Sequence, residues 1–291
     1  MSENIKNKTA FRTAFTVLFL LSSSYIYAQT PQQAQPVQQQ IQPAQPIQPA
    51  QPAPVIKPMI IVIDAGHGGR DGSTRGLFSK EKDVALDVAM LLGQTVEKEV
   101  ENTKVIYTRT EDVFIPLYER IDIANKAHAD LFISIHCNSM PSSMRGRTET
   151  SGVETFVSGS GRLGEQETAA RENAVILLEK DYKDNYDGYN PNDPESFIVL
   201  SLMKNAYRIQ SIKLATLIQQ QYIKVGRVNR GVKEQSLAVL ARAGMPAVLT
   251  EIGFISNPEE EEYINSLSGR QEIVQNIKNA IQEYKKQLFP N

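Results

Sequence analysis

Met59-Ile-Ile-Val-Ile-Asp-Ala-Gly-His-Gly-Gly69 runs from an unbroken apolar segment into a glycine-rich turn that carries a histidine. An apolar run without alternation is the pattern of a strand covered on both faces, as in a parallel sheet. Comparable runs follow at Lys104–Thr108, Leu131–Ile135, Val153–Val157, Leu237–Leu240 and Ala247–Leu249. Between them lie stretches of helical period. Glu81–Val100 spaces Val84, Val88, Leu91, Leu92 and Val96 on one face, and Leu117–His128 starts just after Pro116. Ile209–Val225 forms a third, Asn257-Pro258-Glu-Glu opens a fourth, and Ile273, Ile277 and Ile281 line a last. Strands alternating with helices predict an α/β fold, with a mostly parallel, roughly six-stranded sheet flanked by helices.

Outward from this core the composition changes. Lys6, Lys8 and Arg12 precede the apolar run Ala14–Leu21, and small or polar residues lead to Ala28. That order reads as a secretory signal peptide over residues 1–28. Its apolar stretch falls short of the ~20 residues that span a bilayer, so no membrane span is expected after cleavage. An uncleaved signal would act as a tether. Residues 29–57 are Gln, Pro and Ala with few other types and hold most of the eight prolines between Pro31 and Pro58. They read as an extended, disordered linker ahead of a catalytic domain at 58–291. Residues 160–206 are too long for a connection and read as a helical insertion, with a helix at Glu165–Lys180, a polar loop at Tyr186–Pro194 and an apolar piece at Phe197–Met203. Loss of residues 1–28 moves the net charge from −2 to −4, which speaks against a nucleic-acid partner. Cys137 is the sole cysteine, so no internal disulfide forms.

The chemistry concentrates at strand ends. His67 follows the first strand, His136 ends the run Leu131–Ile135, and Glu251 ends Ala247–Leu249. Open α/β sheets place their crevices at the carboxyl ends of strands, so these three converge if their strands are neighbours. A catalytic zinc takes three protein ligands and keeps one open position. His67 and His136 supply two. The third is Glu81 or Asp83 at the start of a helix, and spacing leaves these equal. His128 sits at the end of the helix from Leu117 and reads as a packed surface histidine. Cys137 and His136 are adjacent on a strand and point to opposite faces, so Cys137 reads as a buried small hydrophobe.

Asp64-Ala-Gly-His-Gly-Gly-Arg-Asp71, Glu81-Lys-Asp83, Ser134-Ile-His-Cys-Asn138, Asn229-Arg-Gly-Val-Lys233 and Thr250-Glu-Ile-Gly-Phe-Ile-Ser-Asn257 resemble motifs of the zinc-dependent N-acetylmuramoyl-L-alanine amidases of type 3. The likeness runs through most of 59–290, with Cys137 standing where alanine is more usual. It implies one Zn2+ held by His67, Glu81 and His136, with Glu251 as catalytic base. It also implies peptidoglycan as substrate, cut at the amide between N-acetylmuramic acid and L-alanine, in wall remodelling or daughter-cell separation. The expected location is periplasmic or otherwise exported. Rival readings are another zinc peptidase of wall peptides and a wall-binding protein without catalysis. Division-associated members of that family carry an inserted helical segment here, which in some covers the zinc and is displaced by an activator protein. Glu172 and Glu179 are the acidic candidates for that role, although each taken alone reads more simply as a solvent-facing helix residue.

Overall fold

The structure, a computed structural model, describes residues 57–159, 161, 165–180, 182–186, 188–190 and 206–288. The expected signal peptide, nearly all of the linker and the apolar piece at 197–203 lie outside these residues. Six strands form one sheet: β1 (Met59–Ala65), β2 (Thr103–Tyr107), β3 (Leu131–Asn138), β4 (Val153–Ser158), β5 (Asn229–Gln235) and β6 (Ala247–Phe254). Their order is β2-β1-β3-β6-β4-β5, with every neighbouring pair parallel except β4 and β6. Eight helices accompany them among the described residues. They are α1 (Glu81–Glu99), α2 (Leu117–Lys126), α3 (Glu167–Asn173), α4 (Tyr182–Asn185), α5 (Arg208–Lys224), α6 (Ala238–Ala241), α7 (Pro258–Asn265) and α8 (Leu267–Leu288).

Alternation along each strand splits the apolar side chains between two cores. Ile61, Ile63, Leu131, Ile133, Cys137, Val248 and Ile252 meet Val88 and Leu92 of α1, Leu214 and Ile218 of α5, and Ile277 and Ile281 of α8. Val62, Phe132, Phe156 and Leu249 meet Ile121 of α2, Leu240 of α6 and Ala169 of α3 on the other face. Burial of the central strands on both faces is why they read as continuous apolar runs.

Two expectations need correction. Leu237–Leu240 is not a strand: Ala238–Ala241 forms the short helix α6. Four buried apolar residues look alike in either state, because periodicity needs a longer stretch to show. The sixth strand is Asn229–Gln235, a polar edge strand buried only at its last residue. Solvent reaches both of its faces, so it carries no apolar signature. The helix expected at Glu165–Lys180 is also shorter. α3 ends at Asn173 and a 3-10 turn covers Ala174–Leu178.

Candidate metal centre

The carboxyl ends of β1 and β3 lie side by side and present His67 and His136 to one point. Gly66 passes so close to the His136 ring that a Cβ there would stand 2.5 Å from its Nε2. His67 itself adopts a left-handed φ of 58°, a conformation that costs a residue with a Cβ about 1–2 kcal/mol. Two buried arginines hold this turn. Arg120 Nη2 donates to the His67 carbonyl at 2.6 Å, and Arg109 Nη2 donates to the carbonyls of Gly66 and Lys82 at 2.7 Å. At Gly66 and His67 they satisfy backbone oxygens that the sheet ladder no longer reaches, and through Lys82, Arg109 ties the turn to α1.

Beneath the turn, Asp64 accepts hydrogen bonds from Thr108 and Ser134 at 2.6 Å and from Arg120 at 2.9 Å. Burial alone would raise its carboxyl, but Arg120 and the two hydroxyls hold it below the usual carboxylate range.

His67, Glu81, His136 and Glu172 bring four donor atoms within 4.8 Å of one another, all four residues buried. His67 Nε2 lies 3.1 Å from Glu81 Oε2 and 3.3 Å from Glu172 Oε2. His136 Nδ1 lies 3.2 Å from Glu81 Oε1 and 3.1 Å from Glu172 Oε2. The far nitrogen of His67, Nδ1, contacts Asp71 Oδ2 at 2.7 Å, the carboxylate–imidazole arrangement that fixes tautomer and ring direction in metal sites. Glu81 is steadied by Thr74, whose hydroxyl donates at 2.7 Å, and by the Cys137 N–H at 3.0 Å. Asp83, on the next turn face, is exposed and takes no part.

The residues fit a divalent cation on two observations. His67 Nε2 and Glu172 Oε2 are buried, yet among the described residues neither has a hydrogen-bond partner despite being in contact. These two buried atoms, in contact without a hydrogen bond, are arranged as ligands are. Charge points the same way. Burial works against protonation of both imidazoles, yet Glu81 and Glu172 overcome it and hold His67 well above the ordinary histidine range and His136 at about 9. Two carboxylates thus require two positive charges, which a divalent cation supplies with the imidazoles neutral. Two imidazoles and carboxylate oxygens are a donor set suited to zinc.

Glu251 lies beside this cluster. It pairs in register with His136 on β3 and with Glu154 on β4, and it is fully buried. Its Oε1 accepts from Arg171 Nη2 at 3.0 Å, while Oε2 has no partner among the described residues. Burial raises its carboxyl to about 8 against the pull of Arg171, with Glu172 and Glu81 adding to the rise. Arg171 belongs to the inserted helix α3, and it also donates to Asn138 Oδ1 and the Ser139 carbonyl at 3.2 Å.

Of the two acidic candidates in the insertion, Glu172 reaches the cluster and Glu179 does not. Glu179 accepts from the Leu117 N–H at 2.8 Å and from the Tyr186 hydroxyl, serving the start of α2. The bland alternative of a solvent-facing residue fails for both, since each is buried. His128 is exposed, with φ of 49°, beyond the end of α2 and outside the cluster. Cys137 lies in the opposite core, as alternation requires. Sequence reasoning did not assign Asp71, whose place four residues after His67 in a glycine turn was a usable signal. It also missed Arg171, for which no local signal exists.

A family model described as N-acetylmuramoyl-L-alanine amidase matches residues 61–283. The amidase AmiC of Escherichia coli O6:H1 is 32% identical over 232 residues, covering 78% of this chain and 53% of that protein. AmiA of Escherichia coli K12 is 30% identical over 232 residues, covering 77% of this chain and 75% of that protein. The chain thus spans about half the length of AmiC and three quarters of AmiA. Among solved structures, an N-acetylmuramoyl-L-alanine amidase from Clostridium difficile 630 superposes with a TM-score of 0.58 at 24% identity, over 79% of this chain and 98% of that one. The CwlD amidase of Clostridioides difficile, solved in complex with the GerS lipoprotein, gives 0.57 at 23% identity, over 78% of this chain and 98% of that one. These two likenesses bear on the fold.

Proposed function

The chain belongs to the N-acetylmuramoyl-L-alanine amidase family, and from that membership and its metal centre we propose that it hydrolyses the amide joining N-acetylmuramic acid to the L-alanine of the peptidoglycan stem peptide. The observation that carries this reading is the convergence of His67 Nε2, His136 Nδ1 and the carboxylates of Glu81 and Glu172, with His67 Nε2 left without a hydrogen-bond partner among the described residues. His67, Glu81 and His136 would hold zinc. When bound, zinc supplies a Lewis acid that polarises the scissile carbonyl and makes water a stronger acid.

The remaining steps belong to the chain. Asp71 keeps His67 Nδ1 engaged, so that Nε2 stays directed at the cluster. Glu251 accepts the proton of the attacking water at its free oxygen, Oε2, and delivers it to the leaving nitrogen of L-alanine. A carboxyl raised by burial is suited to both halves of that transfer, because its proton affinity lies near neutrality.

The inserted helix α3 opposes both functions at once. Glu172 stands at the position that the substrate carbonyl and water need, and Arg171 engages the proposed base. We read this as a closed state, opened when a partner protein draws the insertion away. That one structural neighbour was solved with a lipoprotein bound fits such a partner. Export follows from the signal-like residues 1–28 and from a substrate that lies outside the cytoplasm, with the periplasm as the proposed site of action. No helix among the described residues is long and apolar enough to cross a membrane.

Digestion of purified peptidoglycan by the zinc-loaded protein, followed by product mass, tests the reading. Intact stem peptides freed from intact glycan are expected. Products cut inside the peptide would make the chain a wall endopeptidase instead.

A further inference from the structure

The row of charges on the sheet continues past the proposed base. Glu154, Glu251 and His136 stand abreast on β4, β6 and β3. Glu154 is 2% exposed, and three donors surround its carboxylate. Asn138 and Lys233 donate to it directly, and Arg230 Nε lies 3.6 Å away. Arg230 also lies over the Phe254 ring at 4.9 Å, and Lys233 over the Phe156 ring at 5.9 Å. A buried carboxylate and two aromatic faces therefore fix two cations whose outer sides remain partly exposed. Such fixed donors lose little freedom when they take up a ligand.

Those outer sides line a cavity of about 1180 Å³ that also reaches Asn138, Ser139 and Arg171 beside Glu251. The cavity is open with the insertion in place. Glu234 on its wall is occupied by Arg208, and Glu165 and Glu167, also on the wall, belong to the insertion that the proposed open state draws away. Arg230, Lys233 and Glu154 together leave a single positive charge, which matches one carboxylate better than a polyanion.

Distance then says which carboxylate. β5 lies two strands from β6, but Arg230 and Lys233 reach back to Glu154 on the strand between, so their charged ends stand roughly 5–10 Å from Glu251 at the ~4.8 Å spacing of neighbouring strands. An extended peptide advances ~3.3–3.6 Å per residue. If Glu251 serves the nitrogen of the first residue, the cations meet the second or third. We propose that Arg230 and Lys233 bind a free carboxylate on the second or third residue of the leaving stem peptide, and so select acidic over amidated stems. This rests on the amidase reading above.

The test uses the zinc-loaded full chain and calorimetric binding of two stem peptides that lack the muramoyl group and cannot be hydrolysed. One carries a free carboxylate on each of its second and third residues, and the other has those carboxylates amidated. The wild type is expected to bind the acid form at least about tenfold more tightly, and Arg230→Gln and Lys233→Gln each to cut that preference to about threefold or less. Binding of the amidated peptide should stay within about twofold, which also reports an intact fold. Arg230, with the looser tie to Glu154, carries the test should Lys233→Gln fail to fold. No preference in the wild type, a preference that survives substitution, or equal losses for both peptides would each overturn the proposal. Hydrolysis of a muramoyl peptide by the zinc-loaded Glu172→Ala chain, in which the closed state is relieved, is scored separately. Failure there overturns the amidase reading, whichever way the peptides bind.

Discussion

Arg171 on the inserted helix α3 donates to Glu251 on β6 at 3.0 Å, across 80 residues of sequence, while its neighbour Glu172 contacts both His67 and His136. Two consecutive residues thus engage the proposed base and the proposed metal position. Arg171 Nε also donates to Glu172 Oε1 at 2.9 Å, which ties the two contacts together.

Glu172→Ala should therefore raise hydrolysis of peptidoglycan by at least about fivefold when zinc is supplied and no activator is present, because the closed state loses a ligand and keeps its other contacts. Arg171→Ala should raise it by a smaller factor, since the metal position stays covered. The measurement is initial rate of dye-labelled peptidoglycan release at fixed zinc. Rates equal to wild type in both variants would remove the insertion from any controlling role.

The proposed metal ligands and the proposed base separate by what each loses. His67→Ala, Glu81→Ala and His136→Ala should each lower bound zinc well below one per chain. Asp71→Asn keeps the ligands but frees the His67 ring, so zinc affinity should fall about 10- to 100-fold. Glu251→Gln should retain zinc and lose about 10²–10⁴-fold in rate. Zinc content by atomic absorption, read beside the rate, distinguishes the three outcomes. Full zinc occupancy in any ligand variant would exclude that residue from the site.

Much of this arrangement was legible beforehand, and the reasons differ by residue. Met59–Ile63 and Leu131–Ile135 announced themselves because helices cover both faces of their strands. His67 and His136 followed from the ends of those strands. Glu81 could not be separated from Asp83 by spacing, because the choice depends on the first turn of α1, where Glu81 faces inward to Thr74 and Cys137. Asn229–Gln235 was hidden as a strand by its polar, half-covered faces. Arg171 was hidden more deeply. Its partner is set by how the insertion docks, through contacts such as the Ala169 N–H to Gln235 Oε1 at 2.7 Å and Asn173 to Ser236. No local pattern records such pairings.

Asp64 predicts the response to acid. Its pKa is lower in the folded chain than in the unfolded one, so it contributes stability above the unfolded value near 3.8 and loses it as pH falls through the folded value. Asp64→Asn strands Arg120, which is 1% exposed, without its counter-charge. Breaking such a pair costs about 3–5 kcal/mol. Urea denaturation should show that deficit at pH 7 and a smaller one at pH 3.5. A deficit that stays constant with pH would mean that the carboxylate's charge is not what stabilises the turn.

Gly66 gives the narrowest test of how the turn builds the site. Its φ is not in the left-handed region, so alanine meets no backbone penalty there. What alanine meets is the His136 ring, with Cε1 and Nε2 at 2.5 Å and Cδ2 at 2.7 Å from the new Cβ. Contacts below 3.0 Å force movement, and the ring sits on β3, whose backbone is held by ladders to β1 and β6. The ring must therefore tilt, and Nδ1 with it. Gly66→Ala should weaken zinc binding by about tenfold or more at little cost in melting temperature. Gly72→Ala, where a Cβ meets nothing within 4 Å, should change neither quantity. Equal zinc affinities in the two variants would show that the close approach of Gly66 does not position His136.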